Sequence, residues 1–170
     1  MDLPILSLIT YTPLVGVAAI LVLRALARDD DTVAVVRNAK WIALWTSLAV
    51  LALSVLLMLR FDPADPGFQF VEEVPWFGTV AYRMGVDGIS VLFVLLTALL
   101  LPICIAASWD VKERPLDYLI AFLVLETLVI GVFCALDLFL FYLFFEGGLI
   151  PMFLIIGVWG GKNRVYAAYK

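Results

Sequence analysis

Glu146 is the residue of this sequence best placed to do chemistry, because it is the one charged residue in the stretch Leu138–Trp159. With a rise of about 1.5 Å per residue, a helix of this length crosses a hydrocarbon layer of about 30 Å. An acidic side chain inside such a helix costs about 2.5–3.5 kcal/mol, so it needs a partner, water or a proton. We therefore predict that Glu146 is a buried carboxyl that takes up and releases a proton.

Three neighbours of this carboxyl, Gly147, Gly148 and Pro151, are predicted to support it. Proline has no backbone N–H, so Pro151 leaves the carbonyl of Gly147 free to accept another hydrogen bond. The two glycines remove side-chain bulk and allow a neighbouring helix or a row of water molecules to approach the backbone. The alternative is that the glycines serve helix packing alone and the proline produces a kink without a functional role.

A second acidic residue, Glu126, lies in the preceding apolar span, Tyr118–Ala135. The connection between the two spans is so short that the helices must be antiparallel neighbours, with Asp137 as a cap at the membrane edge. Counted from Asp137, Glu126 and Glu146 lie at depths of about 16 and 14 Å, in the same layer of the bilayer. The sequence does not fix whether they face each other. Two carboxyls in contact would share a proton, as a proton relay requires, whereas Glu126 alone could be a structural hydrogen-bonding group.

Composition places these acids in an all-α membrane protein. Hydrophobic residues make up 65% of the chain and charged residues 15%. The chain has no histidine, and Cys104 and Cys134 stand apart in apolar runs. Zinc and iron–sulfur sites need several clustered soft ligands, so we predict no metal and no redox centre in this chain. The modest net charge of −4 gives no indication of nucleic-acid binding.

Five transmembrane helices are predicted, separated by polar connections. The long connection at 60–87 is rich in aromatic and β-branched residues that partly alternate, which favours a short β-hairpin, although its aromatic residues could equally contact another subunit. Asp87 is placed to cap the helix that follows. The predicted spans are Ile5–Leu23, Trp41–Leu59, Ile89–Ala107, Tyr118–Ala135 and Leu138–Trp159.

The basic residues are distributed very unequally between the two sides of the membrane. One side has nine, namely Arg24, Arg28, Arg37, Lys40, Lys112, Arg114, Lys162, Arg164 and Lys170, and the other has only Arg60 and Arg83. Positive residues accumulate on the cytoplasmic side. The N-terminus and the 60–87 connection are therefore predicted outside, and the Lys170 end inside the cell.

Three blocks carry a resemblance to a known family: GVDGIS at Gly85–Ser90, the long run Val129–Gly161, and KNRVYAAYK at Lys162–Lys170. They resemble chain M (chain 4) of bacterial proton-translocating NADH–quinone oxidoreductase, respiratory complex I. That family has about fourteen spanning helices built around two inverted five-helix repeats. The resemblance implies three N-terminal helices in 1–115, the first two helices of one repeat in 116–170, and further chain beyond Lys170.

The resemblance also implies a function. Glu146 matches the family's fifth-helix glutamate, which pairs with a lysine on the seventh helix, and Glu126 sits where some members keep an acid. The chain would take part in proton translocation coupled to NADH oxidation by quinone, in the bacterial inner membrane. Its partners would be the lipid bilayer and the other membrane subunits of the complex, while NADH, quinone, FMN and iron–sulfur clusters would bind to other subunits. Two alternatives remain, a subunit of a multi-chain cation/proton antiporter and a membrane anchor without an ion path.

Overall fold

The computed structural model describes residues 4–27, 32–77 and 80–169, which form a helical bundle with one β-hairpin on its surface. Two predicted groups, Arg28 and Lys170, lie outside the described residues. The elements in chain order are α1 (Ile5–Leu26), α2 (Thr32–Arg60), β1 (Gln69–Phe77), β2 (Val80–Val86), α3 (Ser90–Ala107), α4 (Pro115–Cys134), α5 (Leu138–Trp159) and α6 (Arg164–Tyr169).

The helices α1 to α5 are each long and apolar enough to cross a membrane. The prediction of five spans is thus confirmed, but the start of the second helix was wrong. Helix α2 begins at Thr32 rather than at Trp41. Residues 32–40 combine apolar side chains with Thr32, Arg37, Asn38 and Lys40, and they extend the helix by more than two turns before the apolar span. Helix α4 begins early too, with Pro115 in its first turn, where a missing N–H has no cost.

The 60–87 connection forms the predicted antiparallel hairpin, β1 with β2. Its Glu72 caps the start of α1. The Glu72 carboxylate accepts hydrogen bonds from the backbone N–H groups of Leu6 at 2.8 Å and Ser7 at 3.1 Å, and from the Ser7 hydroxyl. Ser7 Oγ also lies 2.8 Å from the Tyr82 hydroxyl, and burial raises the pKa of Tyr82. The hairpin therefore fixes the outer end of α1, because it satisfies N–H groups that lack partners within the helix.

The central helix of the bundle is α4. It packs against α1, α2, α3 and α5, whereas α5 packs against α4, β2 and α6. The tight connection predicted between α4 and α5 is present, and Asp137 caps α5 by accepting from Phe139 N at 2.8 Å and Leu140 N at 3.3 Å. Two sides of α4 are consequently covered by this chain, while much of α5 remains open.

The buried core consists of two apolar clusters at different depths. The cluster at the hairpin end, which we call the outer cluster, includes Leu6, Ile9 and Ile130, and the cluster at the opposite end, which we call the inner cluster, includes Ile20 and Leu123. On α1 and α4, the residues between these positions belong to neither cluster. The bundle is therefore divided by a layer of different composition near the middle of its helices.

Candidate functional site

Polar residues occupy the layer between the two apolar clusters. Four of them are almost completely buried, and we call them the polar layer: Thr10 on α1, Ser47 on α2, and Glu126 and Thr127 on α4. Each lies between an outer-cluster and an inner-cluster residue of its own helix. Three separate helices thus each bury a hydroxyl or carboxyl group between the two apolar clusters.

Glu126 is the one carboxyl that is buried among the described residues. Only 1% of its surface is exposed, and neither of its oxygens has a hydrogen-bond partner among the described residues. The hydroxyls of Thr10 and Thr127 are buried without a partner in the same part of the chain, whereas Ser47 Oγ donates to the carbonyl of Leu44 at 2.9 Å. A bare carboxylate in a low-dielectric interior costs several kcal/mol, so a proton or water must satisfy Glu126. A carboxyl that is held by a proton or by water, and not by a fixed hydrogen bond, can exchange that proton.

Glu146 occupies the opposite kind of environment. Its side chain is exposed and lines an open groove on α5 together with Gly147, Leu149, Ile150 and Phe153. No described part of this chain covers Glu146, and its burial within the membrane stays a prediction. Tyr142, one turn earlier on the same face, interacts with the Glu146 carboxyl.

Helix geometry explains this orientation. Residues of α5 that face α4 include Leu140, Phe144 and Pro151, all of which are buried. Successive residues are rotated by about 100° around a helix. Glu146 comes two residues after Phe144, so its side chain points away from the interface with α4 and outward from the bundle.

The two acids lie in one layer but do not face each other. Contacts across the interface fix the level of the two helices: a Cβ on Gly131 would lie 2.5 Å from the Phe144 ring, and one on Gly147 would lie 3.1 Å from Leu128 Cδ2. From this pairing, Glu126 and Glu146 differ in depth by about 5 Å, or one helical turn. Leu128 faces α5, and Glu126, two residues earlier, points to the other side of α4. Because the two side chains point in different directions, the two carboxyls cannot share a proton directly in this arrangement.

The three supporting residues have separable roles. Gly147 lets α5 approach the Leu128 side chain closely, so the packing alternative describes this glycine. A Cβ on Gly148 would lie 3.9 Å from Leu128 Cβ, which is an ordinary van der Waals contact. Pro151 is buried and, with Ile120 of α4, lines a cavity between α4 and α5. Since proline donates no hydrogen bond, the carbonyl of Gly147 remains available next to Glu146.

Sequence reasoning missed several members of this site. Thr10 and Thr127 were not singled out because single threonines are common in membrane helices, and only burial without a partner distinguishes them. Gly131, whose missing side chain makes room for the Phe144 ring, was also overlooked. Tyr142 could have been found, because residues four apart share a helix face.

The described residues contain no group of three or more His, Cys, Asp or Glu side chains that could hold a metal ion. Cys104 and Cys134 are free thiols, the first half-buried on α3 and the second buried on α4. An iron–sulfur cluster needs four thiolates, which the two cysteines of the sequence cannot supply. The polar layer and the groove at Glu146 are suited to protons and water.

Comparison with known protein families gives two matches along the chain. Residues 32–143 match the family described as NADH-ubiquinone oxidoreductase chain 4, amino terminus. Residues 135–170 match the family described as NADH:quinone oxidoreductase/Mrp antiporter, TM. The two matches overlap at the start of α5, and between them they cover every residue of the site except Thr10.

Individual relatives extend the likeness over nearly the whole chain. NADH-quinone oxidoreductase subunit M of Rhodobacter capsulatus is 57% identical over 166 residues, which is 98% of this chain and 32% of that protein. NADH-ubiquinone oxidoreductase chain 4 of Marchantia polymorpha is 43% identical over 169 residues, 97% of this chain and 32% of the relative. The chain therefore spans about a third of the length of these relatives.

A solved structure has the same fold. A chain of respiratory complex I from Thermus thermophilus with bound NADH superposes with a TM-score of 0.74 at 28% identity. The superposition covers 96% of this chain and 31% of that chain.

Proposed function

Since this chain belongs to the family of NADH-ubiquinone oxidoreductase chain 4, we propose that it takes part in proton translocation coupled to the oxidation of NADH by quinone. The chain is a multi-pass membrane protein, and its partners are the other membrane subunits of complex I. We assign NADH, FMN, quinone and the iron–sulfur clusters to other subunits; the two cysteines of the sequence cannot supply the four thiolates of a cluster. The proposal assigns residues 1–115 to the N-terminal helices and 116–170 to the start of the antiporter-like repeat.

The observation that carries the proposal is the unpartnered carboxyl of Glu126 in the middle of the bundle. A buried acid with no structural hydrogen bond adds nothing to packing, and replacing it with an apolar residue would remove a desolvation cost. Its presence is explained by an exchangeable proton. The hydroxyls of Thr10 and Thr127, which are likewise buried without a partner, supply further donors and acceptors in the interior of the bundle.

Glu146 serves as the second proton-exchanging carboxyl. Glu146 lies on the side of α5 that faces away from α4. No other described membrane-spanning helix packs on that side. In the family that the chain resembles, a lysine on the seventh helix pairs with this glutamate. Such a lysine would stabilise the ionised form of Glu146, and movement of the lysine away from Glu146 would favour the protonated form. The free carbonyl of Gly147 and the hydroxyl of Tyr142 are positioned to hold water next to the carboxyl.

We infer the orientation of the chain in the membrane from the distribution of its basic residues. We place the chain in the bacterial inner membrane with the N-terminus and the hairpin on the periplasmic side. The loop between α3 and α4, which carries Lys112 and Arg114, is then cytoplasmic. Both acids lie about midway between these surfaces, as exchange with each aqueous phase in turn requires.

The test replaces one acid at a time in the full-length subunit within the assembled complex. Glu146→Gln and Glu126→Gln keep the size of the side chain and remove the exchangeable proton. Proton uptake by inverted membrane vesicles is measured against NADH oxidation, with Glu73→Gln in the exposed hairpin as the matched control. Positioned proton-transfer groups contribute about 10²–10⁴-fold in rate, so Glu146→Gln is expected to lower proton uptake at least about tenfold.

Each outcome decides between the three functions. Normal proton uptake by both Gln variants, with assembly verified, would support the membrane anchor and overturn the proposal. Sodium-dependent uptake in the absence of NADH would support the cation/proton antiporter. A loss in Glu146→Gln alone would assign Glu126 to a structural role.

A further inference from the structure

A basic groove lies at the end of the bundle that is opposite the hairpin. It has a volume of about 500 Å³, within the range of small-molecule sites, and is formed by the start of α2 and the connection between α3 and α4. We define the basic groove by its charged and aromatic lining: Arg37, Lys40, Trp109, Asp110 and Lys112. Its remaining walls are mainly valine side chains.

Among the described residues that line the groove, positive side chains outnumber negative ones. Arg37, Lys40 and Lys112 line it together with one acid, Asp110. Arg37, Lys112 and Asp110 are exposed, and the structure shows no ion pair for them among the described residues. The groove therefore selects an anion.

One of the cations is held in place by the floor of the groove. Lys40 Nζ donates a hydrogen bond to the carbonyl of Trp109 and lies 5.7 Å from the centroid of the Trp109 ring. The Trp41 ring packs edge-on against the same indole at 5.5 Å. An ammonium group has three N–H donors, so two of them remain for a ligand. The site is thus preorganised around a fixed charge.

The groove continues into an apolar stripe that runs towards the middle of the membrane. Arg37, Trp41, Trp45 and Leu48 follow one another at helical spacing on α2 and are all exposed. No charged residue follows Lys40 until Arg60. The two tryptophans mark the interfacial level, where indole rings accumulate. A ligand that fills both features must carry an anionic head and a hydrocarbon tail.

We propose that the basic groove binds the phosphate of an anionic phospholipid, whose acyl chain lies along Trp41, Trp45 and Leu48. Arg37 and Lys112 bind the phosphate oxygens from the two sides of the groove, and Lys40 donates from its floor. A free phosphate ion would satisfy the charges but leave the stripe unused, and a zwitterionic lipid would use the stripe but not the excess charge. The combination therefore favours an anionic lipid.

The test uses the full-length subunit in its complex, reconstituted into nanodiscs of phosphatidylethanolamine. A trace of phosphatidylglycerol with a photoreactive acyl chain is added, and cross-links are mapped by mass spectrometry. The same experiment with photoreactive phosphatidylethanolamine gives the reference. Each basic residue contributes about fivefold to anionic-lipid affinity, so we expect the phosphatidylglycerol probe to label residues 41–48 of α2 at least about fivefold more strongly.

The variant Arg37→Gln with Lys112→Gln is expected to reduce this preference to about one, and Arg60→Gln, at the other end of the same helix, to leave it unchanged. Equal labelling by both probes, or a preference that survives the double substitution, would overturn the proposal. Absence of labelling on α2 would do so as well, because protein would then cover the groove. If the double variant does not assemble, the ratio of the two probes on the unmodified complex decides.

Competition with inorganic phosphate separates the two sources of the anion. An excess of inorganic phosphate is expected to lower labelling by no more than an equal ionic strength of sodium chloride does. Specific displacement by phosphate would show that the groove takes a free anion and would overturn the assignment to a lipid.

Discussion

Helices α4 and α5 each carry one glutamate near mid-membrane, and the two side chains have opposite surroundings. Glu126 on α4 is enclosed by neighbouring helices, while Glu146 on α5 lies on an exposed face. Both helices are similarly apolar and of similar length. The difference arises from packing, because this chain covers several sides of α4 and mainly one side of α5. Sequence position inside a membrane helix therefore gives the depth of a carboxyl but not its exposure.

The largest expected effect comes from placing a positive charge at the enclosed position. Glu126→Lys in the full-length subunit should lower the free energy of unfolding by about 3 kcal/mol or more, because an uncompensated charge is then buried. Glu146→Lys should cost less, since no described helix encloses that side chain. Denaturation in mixed micelles measures both. Similar costs for the two lysine variants would break the comparison, and Glu126→Gln, with little change, is the control for size.

A smaller loss of stability is expected when a methyl group is added where α4 and α5 pack closely. Gly131→Ala would place a Cβ 2.5 Å from the buried ring of Phe144 and should destabilise the subunit by about 1–3 kcal/mol. Gly148→Ala has a contact of 3.9 Å to Leu128 and serves as the matched control, with a change close to zero. The same denaturation measurement applies. An equal response of both variants would show that α4 and α5 are not packed at this level as described.

The cap between the two helices should contribute less again. Asp137→Ala removes the acceptor of the Phe139 and Leu140 N–H groups and is expected to cost about 1 kcal/mol. Asp137→Asn retains an acceptor and should lose only a fraction of this. Hydrogen exchange of the first turn of α5, followed by mass spectrometry, localises the effect. Unchanged exchange in the alanine variant would contradict the capping role.

The smallest effect is expected at the surface of α4. Arg24 Nη1 lies 2.9 Å from Asp117 Oδ1, and both side chains are about half exposed. Such pairs contribute about 0–1 kcal/mol and are screened by salt. Arg24→Gln and Asp117→Asn should therefore each lower the thermal unfolding temperature only slightly, and raising the ionic strength should remove the difference. A large effect that persists in high salt would mean that this pair holds α1 to α4.

Much of this architecture could be predicted from the sequence. Long uncharged runs gave the number of membrane helices, turn residues and alternation gave the hairpin, and the tight connection at Asp137 gave antiparallel neighbours. The start of α2 could not be predicted, because the region from Thr32 to Lys40 is polar enough to be a loop and its helix is stabilised by packing, for example of Ala39 in the inner cluster. Local propensity is a weak guide where tertiary contacts decide.

For the candidate site too, some features could be predicted from the sequence and others depended on packing. That Glu126 and Glu146 lie within about one helical turn of each other in depth depended on residue counting along rigid helices of fixed rise, so the sequence alone determined it. Which carboxyl is enclosed, and that the two point away from each other, only the tertiary structure decided. Rotation of a helix about its axis depends on side chains of other helices, such as the contact of Phe144 with the gap at Gly131. A uniformly apolar helix contains no periodic signal from which that rotation could be read.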